Sequence, residues 1–101
     1  MGHRLVLHQL LLNLMGTNNV YFQPPESVKM DYPCIVYKRS FVATKFASDF
    51  PYVYETEYQL TVIDRDPDSE IPGKVVILPK CSFVRHYTVD NLNHDVYKLY
   101  Y

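Results

Sequence analysis

Tryptophan is missing from this 101-residue chain, cysteine occurs only at Cys34 and Cys81, and glycine only at Gly2, Gly16 and Gly73. Two cysteines cannot staple a small domain into a disulfide framework, so a packed core has to hold it together. They belong to no Cys-x-x-Cys pattern and lie in apolar segments, and are therefore expected as reduced, buried thiols; paired, they would staple two neighbouring strands. Three scattered glycines make no phosphate-cradling loop. Neither sign of charge dominates, with ten basic against eleven acidic residues. That balance disfavours nucleic acid, a membrane or an acidic substrate as the main partner. Long apolar runs are lacking too. Leu5 to Met15 is too short to span a bilayer and is interrupted by His8, Gln9 and Asn13. Gly16-Thr-Asn-Asn offers no small-residue cleavage site, so the chain is expected to be a single soluble domain over 1–101, cytosolic when made.

Tyrosine fills part of the gap, with ten copies in a chain that is 15% aromatic and 48% hydrophobic. Such a count suits a sheet with half-wet faces or surfaces that meet partners. The organising stretch is Tyr52 to Asp64. Tyr52, Tyr54, Thr56, Tyr58, Leu60 and Val62 point one way, and Val53, Glu55, Glu57, Gln59 and Thr61 the other. Alternation of that length predicts a strand with an aromatic inner face and a charged, wet outer face. Asp64-Arg-Asp-Pro-Asp-Ser69 stops it.

Before this strand, His3 to Met15 reads as a helix closed by Gly16 as a left-handed cap. Its apolar residues nearly encircle it, which asks for cover on more than one face: a sheet on one side and another subunit on the other, or a helix sunk in its own core. Asn19–Gln23 and Tyr32–Tyr37 read as strands, the first ended by Pro24-Pro25. Lys38 to Pro51 mixes Phe41, Val42 and Phe46 with Lys38, Arg39 and Lys45, and reads as either a β-hairpin arm or a loop. After the strand, Ile71, Val75 and Leu78 fall at helical spacing, with Asp68 or Ser69 as cap and Pro72 in the first turn. Ser82–Val89 and His94–Tyr101 then form a hairpin turning through Asp90–Asn93. The class is α+β: a mostly antiparallel sheet of about five or six strands packed with an N-terminal helix and one short helix.

Four phrases occur in order: Val20-Tyr-Phe-Gln-Pro-Pro-Glu-Ser-Val-Lys-Met30, Tyr32-Pro-Cys-Ile-Val-Tyr37, Tyr58-Gln-Leu-Thr-Val-Ile-Asp-Arg-Asp-Pro-Asp-Ser69 and Asn93-His-Asp-Val-Tyr97. Together they resemble the small tail-terminator, or tail-completion, proteins of long, non-contractile-tailed bacteriophages and prophages, over nearly the whole chain. The resemblance implies a structural virion protein made in the host cytoplasm. It would form a hexameric ring on the head-proximal end of the tail tube, stop tube polymerisation and present a surface to the head connector. The implied partners are the tail-tube protein and a head-completion or stopper protein, with viral DNA passing through the ring without sequence-specific binding. No catalytic residue, cofactor or membrane partner comes with it.

Read on their own chemistry, the polar residues give no catalytic or metal site. Cys81, His86 and His94 lack the fourth ligand and paired spacing of a zinc site, and Cys81 and His86, five apart on one strand, are expected on opposite faces. His86 and His94 with Asp64 and Asp66 make an imaginable acid–base pair, but no activated nucleophile accompanies them. The Asp64–Ser69 run lacks the glycine and distal glutamate of a calcium loop. An alternative function is a small nucleic-acid-binding module, because Lys38, Arg39, Lys45, Lys80 and Arg85 interleave with Tyr37, Phe41, Phe46 and Phe83; lysine-guarded strand edges give the same pattern. Candidate inter-subunit or tube-contact residues are Lys38, Arg39, Phe41, Lys45 and Phe46 of the possible arm, with Glu55 and Glu57 as acidic groups on a neighbour.

Overall fold

Gly16 decides where the N-terminal helix stops. The computed structural model describes residues 3–47 and 50–101, with side chains within 4–40 and 56–101. Helix α1 spans His3–Met15; Gly16 follows at φ +71°, its N–H bonded to the Leu12 carbonyl at 2.9 Å. Only glycine adopts that left-handed turn without crowding a Cβ. Five strands follow: β1 Val20–Phe22, β2 Cys34–Ala47, β3 Phe50–Asp64, β4 Cys81–Val89 and β5 Leu92–Tyr100, with helix α2 Ile71–Val76 between β3 and β4. The sheet order is β1-β2-β3-β5-β4, parallel between β1 and β2 and antiparallel elsewhere. The fold is α+β, with an N-terminal helix, one short helix and a mostly antiparallel sheet.

One face of the sheet carries the core. Ile35 and Tyr37 of β2, Tyr58, Leu60 and Val62 of β3, and Tyr97 and Leu99 of β5 are buried under Leu7 and Leu11 of α1 and Val75 of α2. Leu7 and Leu11 are four residues apart, so they share one stripe of the helix. Thr56, Tyr58, Leu60 and Val62 are buried as the alternation predicts. The helix is covered less evenly than its composition suggests. Leu10, Leu12, Leu14 and Met15 pack partly on the core, while Leu5 and Val6 stay about half exposed. Ile71, Val75 and Leu78 do turn inward together; Glu70 takes the N-cap position without a side-chain capping bond, while Ser69, one of the two expected caps, accepts the Ile71 N–H on its Oγ at 3.3 Å.

Several boundaries differ from expectation for identifiable reasons. Strand β1 is only three residues because Gln23 takes φ +43° before the two prolines. The turn between β4 and β5 is two residues, not four: Asp90 and Asn91 both have positive φ, the conformation that closes a tight hairpin with the right twist. Of the stretch from Lys38 to Pro51, residues 38–47 and 50–51 belong to strands. β2 and β3 continue as a hairpin arm beyond the other strands, since β1 stops opposite Tyr37 and β5 opposite Glu57. The molecule is accordingly elongated, 51 × 24 × 24 Å.

Candidate assembly surface

The arm is positioned by its roots. At its base, Ser40 donates to Glu57 Oε2 at 2.8 Å, the Tyr100 hydroxyl donates to Glu57 Oε1 at 3.1 Å, and Lys98 Nζ stands 3.7 Å from the same oxygen. Glu57 thus ties β2, β3 and β5 together where the ribbon leaves the sheet, and these partners within its own chain occupy both its oxygens. Two hydroxyl donors and one ammonium around the Glu57 side chain engage it within its own chain. Neither Tyr100 nor Ser40 was singled out from the sequence, because cross-strand neighbours of Glu57 depend on register.

Of the candidate contact residues, Lys38 and Arg39 are exposed at the start of the arm. They line an open cleft of about 580 Å³ with Gln23, Pro24, Val36, Gln59 and Thr61. Its described lining offers amides, cations and a hydroxyl, chemistry for hydrogen bonding and ion pairing. Phe41, Lys45, Phe46 and Glu55 lie outside the residues whose side chains are described. Their backbones pair within the arm: Phe41 opposite Glu57, Ala43 opposite Glu55, Lys45 opposite Val53 and Phe46 opposite Pro51.

Basic and aromatic residues share both faces: Arg39 stands opposite Tyr58 on the helix-side face, and the Arg85 guanidinium lies 5.3 Å from the Tyr87 ring on the other. Lys38, Gln59 and Lys98 fall in one row across the face away from the helices, and Arg85 in the row with Val96 and Thr61. Tyr37 and Phe83 belong to the helix-side face: Tyr37 is buried, and Phe83 meets the Tyr97 ring edge-on at 5.6 Å.

The histidines and cysteines are spread out. His86 Nδ1 donates to Asp95 Oδ1 at 2.8 Å, a partner the sequence reading did not name. His94 stacks on Tyr87 at 4.6 Å and donates to the Leu92 carbonyl, while Asp64 and Asp66 accept the backbone N–H groups of Asp66 and Asp68. Cys81 and His86 share a face, contrary to expectation. A register shift between Phe83 and Arg85 adds one residue, so Cys81 stands opposite Leu99 and His86 opposite Asp95, about 13 Å apart along the ladder. Among the described residues no group of three or more His, Cys, Asp or Glu gathers as metal ligands would.

Cys34 is fully buried, its thiol pushed up to about 12 by burial and by Asp64. Cys81 is only half-buried, a correction to the expectation of two buried thiols, and burial raises its thiol as well. Two strands separate β2 from β4, which puts the two cysteines at least about 14 Å apart, beyond the roughly 7 Å that a disulfide spans. In the core, His8 Nδ1 and the Tyr37 hydroxyl share a 2.6 Å hydrogen bond. Burial, then the nearby Arg4 guanidinium, holds His8 below its ordinary value.

At the far edge, every residue of β4 from Ser82 to Val89 is exposed, including Phe83 at 52%, Val84 at 51% and Val89 at 50%. Sequence alternation alone did not flag this edge, because exposure on both faces follows from sheet order. Among the described residues no helix is long and apolar enough to cross a membrane. No protein-family model matches the sequence, and no curated protein matches it.

Proposed function

We propose that the chain is a structural subunit of a phage tail, a terminator that assembles as a hexameric ring on the head-proximal end of the tail tube. There it stops tube growth and presents a surface to the head connector. Its partners are the tail-tube protein below and a head-completion or stopper protein above, and viral DNA passes through the ring without sequence-specific contacts. The observation that supports this reading most is the arm: two strands leave the sheet together and carry Lys38, Arg39, Phe41, Lys45 and Phe46 away from the core. A monomeric domain gains little from ordering so long a ribbon, since an isolated two-stranded hairpin is marginal in water. A ring subunit gains a patch that reaches the next copy or the tube end.

The mechanism is geometric. A ring whose lower face matches the tube end and whose upper face does not lets no further tube subunit add. Purified protein added to polymerising tail-tube protein should shorten the tubes and leave a ring at one end in negative-stain images. Tubes of unchanged length with bare ends would refute the reading.

A further inference from the structure

We propose that the free edge of β4 receives the arm strand β3 of a second copy. The inference rests on the self-assembly just proposed and names the two edges that meet. β4 is the last strand of the sheet and, among the described residues, pairs only with β5. The two-residue turn closes on the pair Val89 and Leu92, so Tyr87 and Arg85 direct their backbone groups at β5 while His86 and Thr88 direct theirs outward. Those outward groups form a template for another strand, with half-exposed Phe83, Val84 and Val89 alongside. Natural edges are normally guarded by charge. Here Arg85 is the one Lys, Arg, Asp or Glu between Cys81 and Val89.

A second copy offers four edges that could occupy it, of which β1, at the other end of the sheet, is only three residues long and too short for a ladder along β4. β4 pairing antiparallel with itself about its centre brings Arg85 against Arg85, a like-charge contact. The arm's β2 edge, open beyond Arg39, whose N–H is held by Gln23 Oε1 at 3.2 Å, belongs to a strand whose Lys38, Arg39 and Lys45 repeat the sign of Arg85. The arm's β3 edge is open from Phe50 to Glu55, because β5 reaches only Glu57 and Tyr101 N–H takes the Thr56 carbonyl. That strand carries Glu55 and no basic residue between Phe50 and Asp64. Charge therefore selects β3. Pro51, lacking an N–H, limits the added ladder to about the segment from Tyr52. One edge meeting a different edge is a heterologous contact, the kind that propagates from copy to copy and closes into a ring.

Native mass spectrometry of the full chain tests this with Arg85→Glu, Arg85→Glu combined with Glu55→Arg, and Thr88→Pro, circular dichroism checking the fold of each. Arg85→Glu should weaken assembly by roughly tenfold, and the double variant should restore it. Thr88→Pro removes an outward N–H, leaves the backbone bonds to β5 in place while giving up the Thr88 hydroxyl bond to Asn93 Oδ1, and should also lose assembly. If the wild type assembles and Arg85→Glu and Thr88→Pro assemble equally well, the β4 contact is wrong while the ring stands. If Arg85→Glu fails and Glu55→Arg does not rescue it, the arm is not the occupant and the pairing is overturned. A wild type that stays monomeric at all concentrations overturns ring and pairing together. Should Thr88→Pro unfold, the charge-reversal pair decides alone.

Discussion

Strands β3 and β4 belong to one sheet and both hydrogen-bond to β5, yet they live in different solvents. β3 lies between two strands and under two helices, and buries Tyr58, Leu60 and Val62 to 3% exposure or less. β4 lies at the edge, and its apolar side chains stay in water from Ser82 to Val89. Folding free energy scales with apolar surface removed from water, so β3 carries stability and β4 contributes little of it. Exposed Phe and Val on a free edge bring an aggregation hazard without a folding benefit, and that imbalance motivates the association proposed for β4.

The comparison breaks most sharply at Leu60. Leu60→Ala should destabilise the fold by about 2–5 kcal/mol in urea unfolding, as large-to-small changes at fully buried sites do. A loss near zero would mean that the sheet is not held by this core. Thiol labelling separates the same regions. Cys34, sealed at the start of β2, should react with a neutral-pH thiol reagent at least about a hundredfold slower than Cys81 at the foot of β4, and catch up once the chain unfolds. Equal rates in the native protein would contradict the burial of Cys34.

A smaller effect sharpens the core side. His8 titrates below its ordinary value of 6.5 in the fold, so the unfolded chain binds more protons in the window between the two values. Its contribution to stability is whole above 6.5 and declines as the pH falls toward the depressed folded value. His8→Gln should flatten that part of the stability profile, and a profile identical to the wild type's would show that His8 does not contribute. The smallest effect is expected at the edge. Phe83→Ser should change stability by under about 1 kcal/mol, because Phe83 is half exposed and loses mainly its edge contact with Tyr97.

Local chemistry made some of this fold legible in the sequence. α1 announced itself by its apolar run and Gly16, β3 by thirteen residues of alternation ending in Asp64, and α2 by Ile71, Val75 and Leu78. What stayed hidden depends on register or order. Shifts between Arg39 and Phe41 and between Lys45 and Phe46 scramble the period of the arm, so it resembled a loop as much as a strand. The shift between Phe83 and Arg85 moved His86 to the face of Asp95. Glu57 was named for its charge, but its partners Ser40 of β2 and Tyr100 and Lys98 of β5 come from two strands that only the folded register brings beside it. Parallel pairing of β1 with β2 left no mark in either strand.

Native mass spectrometry of the purified wild-type chain, paired with negative-stain images, tests the account most directly. Six copies in a closed ring with a central opening are the predicted result. A monomer that persists as concentration rises, with or without tail-tube protein, would contradict the account.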